Sequence, residues 1–243
     1  MKFETITLLT LLSCQSVLAD TNLDWSYTGH QAPEHWANIS EKYHACSGVN
    51  QSPINIDQTV NANLAPLAFN YASTTKNIIN SHHTVFVHFY AGSFLTLDNK
   101  QFELKQFHVH TPSENTIQGK SYPAEMHLVH ATPEGELAVV AVMFDHGDEN
   151  KKLTELWKEL PKKETEIIAL KHQNQASTFL PKDLDYYRYS GSLTTPPCSE
   201  GVRWIVLKDI QPISAQQLKD LSQVIKHPNN RPVQAKNARL VME

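Results

Sequence analysis

Short runs in which apolar and polar residues alternate with a period of two recur along this 243-residue chain. They constrain its fold more than any other feature, because side chains two apart share one face of a strand. The runs occupy 84–90, 102–110, 126–131, 137–144 and 202–208, and are rich in Val, Ile, Phe and Tyr. Turn signals such as Asp98-Asn99-Lys100 and Pro133-Glu134-Gly135 separate them. Two stretches carry a helical period instead. In 152–160, Leu153, Leu156, Trp157 and Leu160 fall on one helical face. In 214–225, Ser214 and Gln217 form a capping box ahead of Leu218, Leu221 and Ile225. No internal repeat and no Pro/Gly/Ser-rich linker divides the chain. The pattern predicts one mainly β domain with peripheral helices and long connections.

The first nineteen residues stand apart. Lys2 gives a weakly positive start, Thr5 to Leu12 a short apolar run, and Val17-Leu18-Ala19 a small-residue cleavage site. The run is shorter than the roughly 20 residues that span a bilayer, and no later stretch approaches that length, so no transmembrane segment is expected. Residues 1–19 read as a cleaved signal peptide and 20–243 as an exported domain, periplasmic or secreted. Leu11-Leu12-Ser13-Cys14 offers a lesser alternative, a lipoprotein box that would leave Cys14 lipidated. Export changes the meaning of the three cysteines. Cys46 and Cys198 remain, and in an oxidising compartment they read as one disulfide, with two buried free thiols as the alternative. Lys plus Arg number 21 and Asp plus Glu 25, a formal charge of -4, which argues against a nucleic-acid partner.

Histidine is the outlier, with 13 copies. If Gln106-Phe107-His108-Val109-His110 is a strand, His108 and His110 share a face and could grip one ion. An H-x-H pair alone is a weak signal. In 124–130, Glu125, His127 and Val129 share a face, so His127 could supply a third ligand from a neighbouring strand. Three histidines with no fourth candidate fit an open, catalytic zinc rather than a closed structural one. His130 falls on the opposite face and reads as a core histidine. Glu125 and Gln106 could accept the other ring N–H of His127 and His108. Glu114 could orient a hydroxyl near the metal, although in isolation it reads as a surface glutamate. Thr194-Thr195-Pro196-Pro197 reads as a rigid loop that could hold a hydroxyl at fixed geometry.

Together these pieces resemble the alpha-class carbonic anhydrases, in particular the exported bacterial branch. The resemblance covers nearly all of 20–243. It runs through Trp25-Ser26-Tyr27, Glu34-His35-Trp36, Asn50-Gln51-Ser52-Pro53-Ile54-Asn55-Ile56, the two histidine segments, Ser192-Leu193-Thr194-Thr195-Pro196-Pro197 and Asn229-Asn230-Arg231-Pro232. It implies a single domain around a twisted, mostly antiparallel ten-stranded sheet, with peripheral helices. It implies zinc held by His108, His110 and His127, with Gln106 and Glu125 as their orienting partners. Thr194 matches the hydroxyl that accepts a hydrogen bond from zinc-bound hydroxide, and Glu114 the carboxylate that receives the Thr194 proton in a hydrogen bond. Val129, Val139, Leu193, Val202 and Trp204 match the apolar wall for carbon dioxide. Tyr27 and Thr195 match residues of an ordered-water network, Thr195 counting among the pocket residues too. His83 matches the proton shuttle, and Cys46 and Cys198 match a disulfide pair.

The implied activity is reversible zinc-dependent hydration of carbon dioxide to bicarbonate and a proton. The partners are then carbon dioxide, bicarbonate and water, and the oligomeric state stays open between monomer and homodimer. The sequence departs from the family pattern at three places. His82 stands where glycine is usual, so it could share the shuttle role. Asn115 stands where many members have histidine, and Asn230 where many have tryptophan. Neither asparagine is expected to touch the catalytic groups. The rivals are a non-catalytic binding module on the same fold and a zinc hydrolase of another type. The first is opposed by the complete histidine set and the second by the lack of an H-E-x-x-H helix.

Overall fold

The computed structural model describes residues 25–243. The expected signal peptide and its alternative lipid site at Cys14 lie outside the described residues. The strands are β1 (Asn55–Ile56), β2 (Ala68–Tyr71), β3 (Thr75–Asn80), β4 (Val85–Phe89), β5 (Ser93–Leu97), β6 (Lys100–His110), β7 (Thr116–Ile117), β8 (Ala124–Ala131), β9 (Leu137–His146), β10 (Ile167–Ala169), β11 (Tyr186–Ser192), β12 (Glu200–Leu207) and β13 (Gln211–Ile213). Eleven of them form one sheet in the order β10-β3-β4-β6-β8-β9-β12-β11, with β5 and then β2 added beside β6, and β13 beside β9. Most pairs are antiparallel, while β12 and β13 run parallel to β9. The sheet has one strand more than the ten expected. Two of its strands, β10 and β13, are three residues long, too short to show a period in the sequence.

All five alternating runs are strands. The central ones are covered on both faces: every residue of β8 is buried, as are Ala138 to Phe144 of β9. The alternation therefore sorts two interiors rather than core from solvent. On one face Met126, Leu128, Val140, Val142 and Ile205 pack with Leu153, Leu156 and Trp157 of α2 (Lys151–Trp157) and with Leu221 and Ile225 of α3 (Ala215–Ile225). The α3 capping box forms as expected, the Ser214 hydroxyl accepting from Gln217 N and the Gln217 side chain accepting from Ser214 N. Helix α2 stops at Trp157, short of the expected 160, because Pro161 follows and cannot continue a helix. On the other face Val129, Val139, Ala141, Met143, Tyr189, Val202, Trp204 and Val206 form a second core. A four-residue helix, α1 (Trp36–Ile39), contributes to a third cluster of Trp25, Trp36 and Tyr43 around the Cys46–Cys198 disulfide.

One irregularity decides which interior receives the histidines. In β6, Phe102 and Leu104 face the helix-covered core, and so do Phe107 and Val109. Two even positions and then two odd ones cannot share a face of a regular strand. The parity changes at a bulge between Leu104 and Gln106, where the pairing with β8 slips by one residue. Beyond the bulge, Gln106, His108 and His110 point to the second core.

Candidate active site

The register assembles the site in rows across the sheet. Gln106 lies opposite Val129, Val129 opposite Val139, and Val139 beside Trp204. Two residues along, His108 lies directly opposite His127. His110 follows on the same face of β6. One nitrogen from each of His108, His110 and His127 lies within 4.8 Å of the others, and among the described residues this is the one such cluster of metal-capable side chains.

Each ring is held by its other nitrogen. His108 Nδ1 donates to Gln106 Oε1 at 2.9 Å, and His127 Nε2 to Glu125 Oε1 at 2.9 Å. His110 Nδ1 donates to the backbone carbonyl of Asn229 at 2.6 Å. These bonds leave His108 Nε2, His110 Nε2 and His127 Nδ1 as the inward atoms. His110 Nε2 is buried with no hydrogen-bond partner. Burial pushes all three imidazoles below their ordinary pKa, His108 and His127 strongly so with neighbouring rings adding to the effect, while at His110 the Asn229 carbonyl and the Glu125 charge oppose it. Three neutral, pre-oriented imidazoles, His110 and His127 buried and His108 half-buried, are the donor set that zinc requires. The residues present fit the metal.

Two buried carboxylates stand behind them. Glu125 accepts from the backbone N–H groups of Glu114 and Asn115 at 2.8 and 2.7 Å, and from Asn115 Nδ2 at 2.7 Å. Burial raises its pKa, and the Asn115 bonds oppose that rise. Glu114 is not a surface glutamate but buried. Its Oε1 accepts from Arg231 N at 2.8 Å, and its Oε2 lies 3.5 Å from His110 Nε2. Burial pushes the Glu114 carboxyl well above the usual range, opposed first by the Arg231 N–H and then by the Thr194 hydroxyl. Glu114 Oε2 nevertheless has no partner of ordinary hydrogen-bond geometry. A buried, unpartnered carboxylate oxygen beside the unpartnered His110 Nε2 is a place that favours a cation.

The loop that carries Thr194 is clamped from several sides. Ser52 N donates to Ser192 Oγ and Ser192 N to Ser52 Oγ, at 2.9 and 3.1 Å. A Cβ on Gly191 would lie 2.1 Å from Ser52 Oγ, so this close approach requires glycine. Cys198 N donates to Thr195 O at 2.8 Å, and the disulfide ties Cys198 to Cys46.

Val129, Val139, Val202 and Trp204 line one apolar cluster, with half-buried Leu193 packed against it. The Trp204 ring sits edge-on to His127, with centroids 4.8 Å apart. Thr195 is half-buried. His83 stacks on Trp25 at 3.8 Å and lies 6.1 Å from the Tyr27 ring. Its Nδ1 is buried without a partner. Burial first, then His82 and His227, lower its pKa to about 4. Tyr27 is raised well above its ordinary value by burial and by the nearby charge of Glu114.

The family sequence model described as eukaryotic-type carbonic anhydrase matches residues 31–243. The chain belongs to the alpha-type carbonic anhydrase family. It is an enzyme of that family, whose general activity is zinc-dependent hydration of carbon dioxide. A carbonic anhydrase of Klebsiella pneumoniae is 47% identical over 90% of this chain and 90% of its own. One of Pectobacterium atrosepticum is 43% identical over 96% of each chain. The solved structure of the alpha-carbonic anhydrase of Thermovibrio ammonificans with the inhibitor sulfanilamide superposes with a TM-score of 0.88. It is 45% identical and covers 90% of this chain and 98% of that one.

Relative to the sequence expectations, the expected ligand, carboxylate and pocket residues come together on one face of the sheet. Asn115 departs from its expectation, because it donates twice to Glu125 and so touches the carboxylate that orients His127. His130 is a buried core histidine as expected, its Nε2 bonded to the Tyr71 hydroxyl and its Nδ1 to Ala138 O. The sequence reading had no role for Asn229 in holding His110, because a backbone carbonyl carries no side-chain signature. It also missed Arg231, whose buried guanidinium donates to Gln51 Oε1, Ser52 O and Cys46 O. An arginine is rarely buried without such partners, yet nothing local marks this one.

Proposed function

We propose that the chain hydrates carbon dioxide reversibly to bicarbonate and a proton, with zinc held by His108, His110 and His127. The observation that carries this reading is the convergence of three imidazole nitrogens within 4.8 Å of one another, beside the Glu114–Thr194 pair and an apolar wall. When bound, zinc supplies the Lewis acidity that makes water a nucleophile near neutral pH. Gln106, Asn229 and Glu125 keep the three rings in the tautomers that leave a lone pair facing inward. The Arg231 N–H holds the Glu114 carboxylate toward Thr194. Thr194 directs its proton at Glu114, which leaves its oxygen free to accept a hydrogen bond and orient the attacking water. Carbon dioxide has no charge to grip. Val129, Val139, Leu193, Val202 and Trp204 therefore hold it by excluding water from an apolar recess. Tyr27 and Thr195 order solvent between this recess and His83, which takes the proton outward. A ring shifted to about 4 holds a proton only briefly at neutral pH and passes it on.

The disulfide and the leader-like start support export of the mature domain. Among the described residues no helix is long and apolar enough to cross a membrane. The test is stopped-flow carbon dioxide hydration by the chain from Asp20, before and after a chelator removes zinc. Fast hydration that disappears with the metal and returns with it is expected. No hydration by a folded, zinc-loaded protein would refute the reading.

A further inference from the structure

We propose that His82 is the outer station of the proton path, taking protons from His83 and handing them to buffer base outside, with Glu164 positioning it. The proposal rests on the carbon dioxide hydration reading and assigns the exit that reading leaves open. Three independent observations carry it. First, His82 has a φ of +75°, a conformation that glycine takes freely and that strains a histidine. The strained residue therefore sits directly beside His83. Second, its ring is in place to relay. It meets His83 edge-on with centroids 5.2 Å apart, near enough for transfer directly or through one solvent molecule, and it is 38% exposed. His83 is the more enclosed of the two, with an unpartnered Nδ1. Third, the ring is held from outside: His82 Nδ1 lies 3.1 Å from Glu164 Oε2. That leaves Nε2 to receive the proton.

The charged and titratable groups around His82 come from several segments. Glu164 faces it across the rim, and Lys226 shares that carboxylate at 3.0 Å. His227 lies 6.1 Å from the His82 ring and 6.0 Å from the Tyr27 ring. Lys226, then His82, hold Glu164 below the ordinary carboxylate range, so it is ionised when the relay works. In each cycle Nε2 of His82 gains one proton from His83, and the ring loses one proton to a buffer base. Neither imidazole changes its net protonation.

The test compares zinc-loaded wild type with His82→Gly, His82→Asn and Glu164→Gln. Glycine and asparagine both tolerate a positive φ, so neither variant depends on refolding this turn. In weak buffer, kcat for hydration should fall about three- to ten-fold in both His82 variants. This is a fraction of what a positioned proton carrier contributes, because solvent replaces part of it. The ratio kcat/KM should stay unchanged, and added imidazole should restore kcat. Glu164→Gln should fall in the same direction by less. By NMR, the His83 ring in His82→Gly should titrate above about 4, because one of the neighbours that lowers it is gone. An active wild type whose His82 variants keep full kcat and the same buffer dependence would overturn the relay alone. So would a parallel loss of kcat/KM and zinc, which would mark a structural role. A zinc-loaded wild type that does not hydrate carbon dioxide would overturn the hydration reading and the relay with it.

Discussion

Replacing Glu125 by Gln removes one charge and changes no shape, yet it should disable the metal centre. Glu125 Oε2 accepts two backbone N–H groups, from Glu114 and Asn115, so the amide oxygen of a glutamine would take that place. Its NH2 would then occupy the Oε1 position, which now accepts from Asn115 Nδ2 at 2.7 Å and His127 Nε2 at 2.9 Å. Asn115 cannot turn its oxygen inward, because Oδ1 already accepts from Ile54 N and the Tyr189 hydroxyl. His127 can relieve the clash by moving its proton to Nδ1, the atom that faces the metal. A buried donor left without an acceptor costs about 1–3 kcal/mol, so Asn115 Nδ2, which no tautomer can satisfy, implies a loss of about 1–3 kcal/mol in the metal-free protein. Loss of a partner that orients a ligating histidine lowers zinc affinity roughly 10- to 100-fold. Chelator competition gives the affinity, and urea unfolding of the metal-free protein gives the stability. Zinc affinity within threefold of wild type, with an unchanged unfolding midpoint, would refute the tautomer argument.

Thr194→Ala should keep full zinc occupancy while kcat/KM for hydration falls about a hundredfold, because one preorganised group at the reacting centre is gone; metal analysis beside stopped-flow kinetics separates the two effects. Acid should destabilise the fold through His130, which is fully buried and lowered from 6.5 to about 4. The unfolded chain then binds the extra proton first, so this contribution is complete above about pH 6.5 and is lost as the pH falls to about 4, roughly 3 kcal/mol in all. Urea midpoints across that range should show a shallower slope in His130→Gln, which keeps a side chain able to bond Tyr71. Reducing the Cys46–Cys198 bond should cost up to about 5 kcal/mol in the chain-entropy model, given the 152-residue separation. Unfolding with and without reductant measures it, and an unchanged midpoint would mean the bridge constrains nothing in the unfolded chain.

What could be read from the sequence were the local signals. The strand rhythm placed the five main runs, H-x-H put His108 and His110 on one face, and Ser214 with Gln217 marked the start of α3. What could not be read were contacts between distant segments. Asn229 meets His110 across 119 positions, and Arg231 reaches Cys46 across 185; no period or spacing encodes such pairs. Glu114 looked exposed because its neighbours are polar. It is buried because Arg231 and the Thr194 loop close over it. The strands β2, β3, β5 and β11 were missed for a different reason. Their apolar positions are diluted by Asn, Thr, Ser and Gly, which the surrounding sheet tolerates.

The bulge in β6 makes the length of this strand as important as its composition. Lys105 is exposed, and its side chain meets Glu103 beside it, so many residues should be accepted there. Deleting it should also be accepted. With the extra residue gone, Gln106 would follow Leu104 directly, and regular alternation would keep Phe107 and Val109 under the helices and His108 and His110 toward the metal. Loss of Phe107 instead has no bulge to absorb it, and would turn His108 and His110 under the helices. A library of single-codon losses along this strand should therefore yield working enzymes at Lys105 and none at Phe107. The bulge is slack in a reading frame written in three dimensions, one residue wide and invisible to any score that weighs side chains alone.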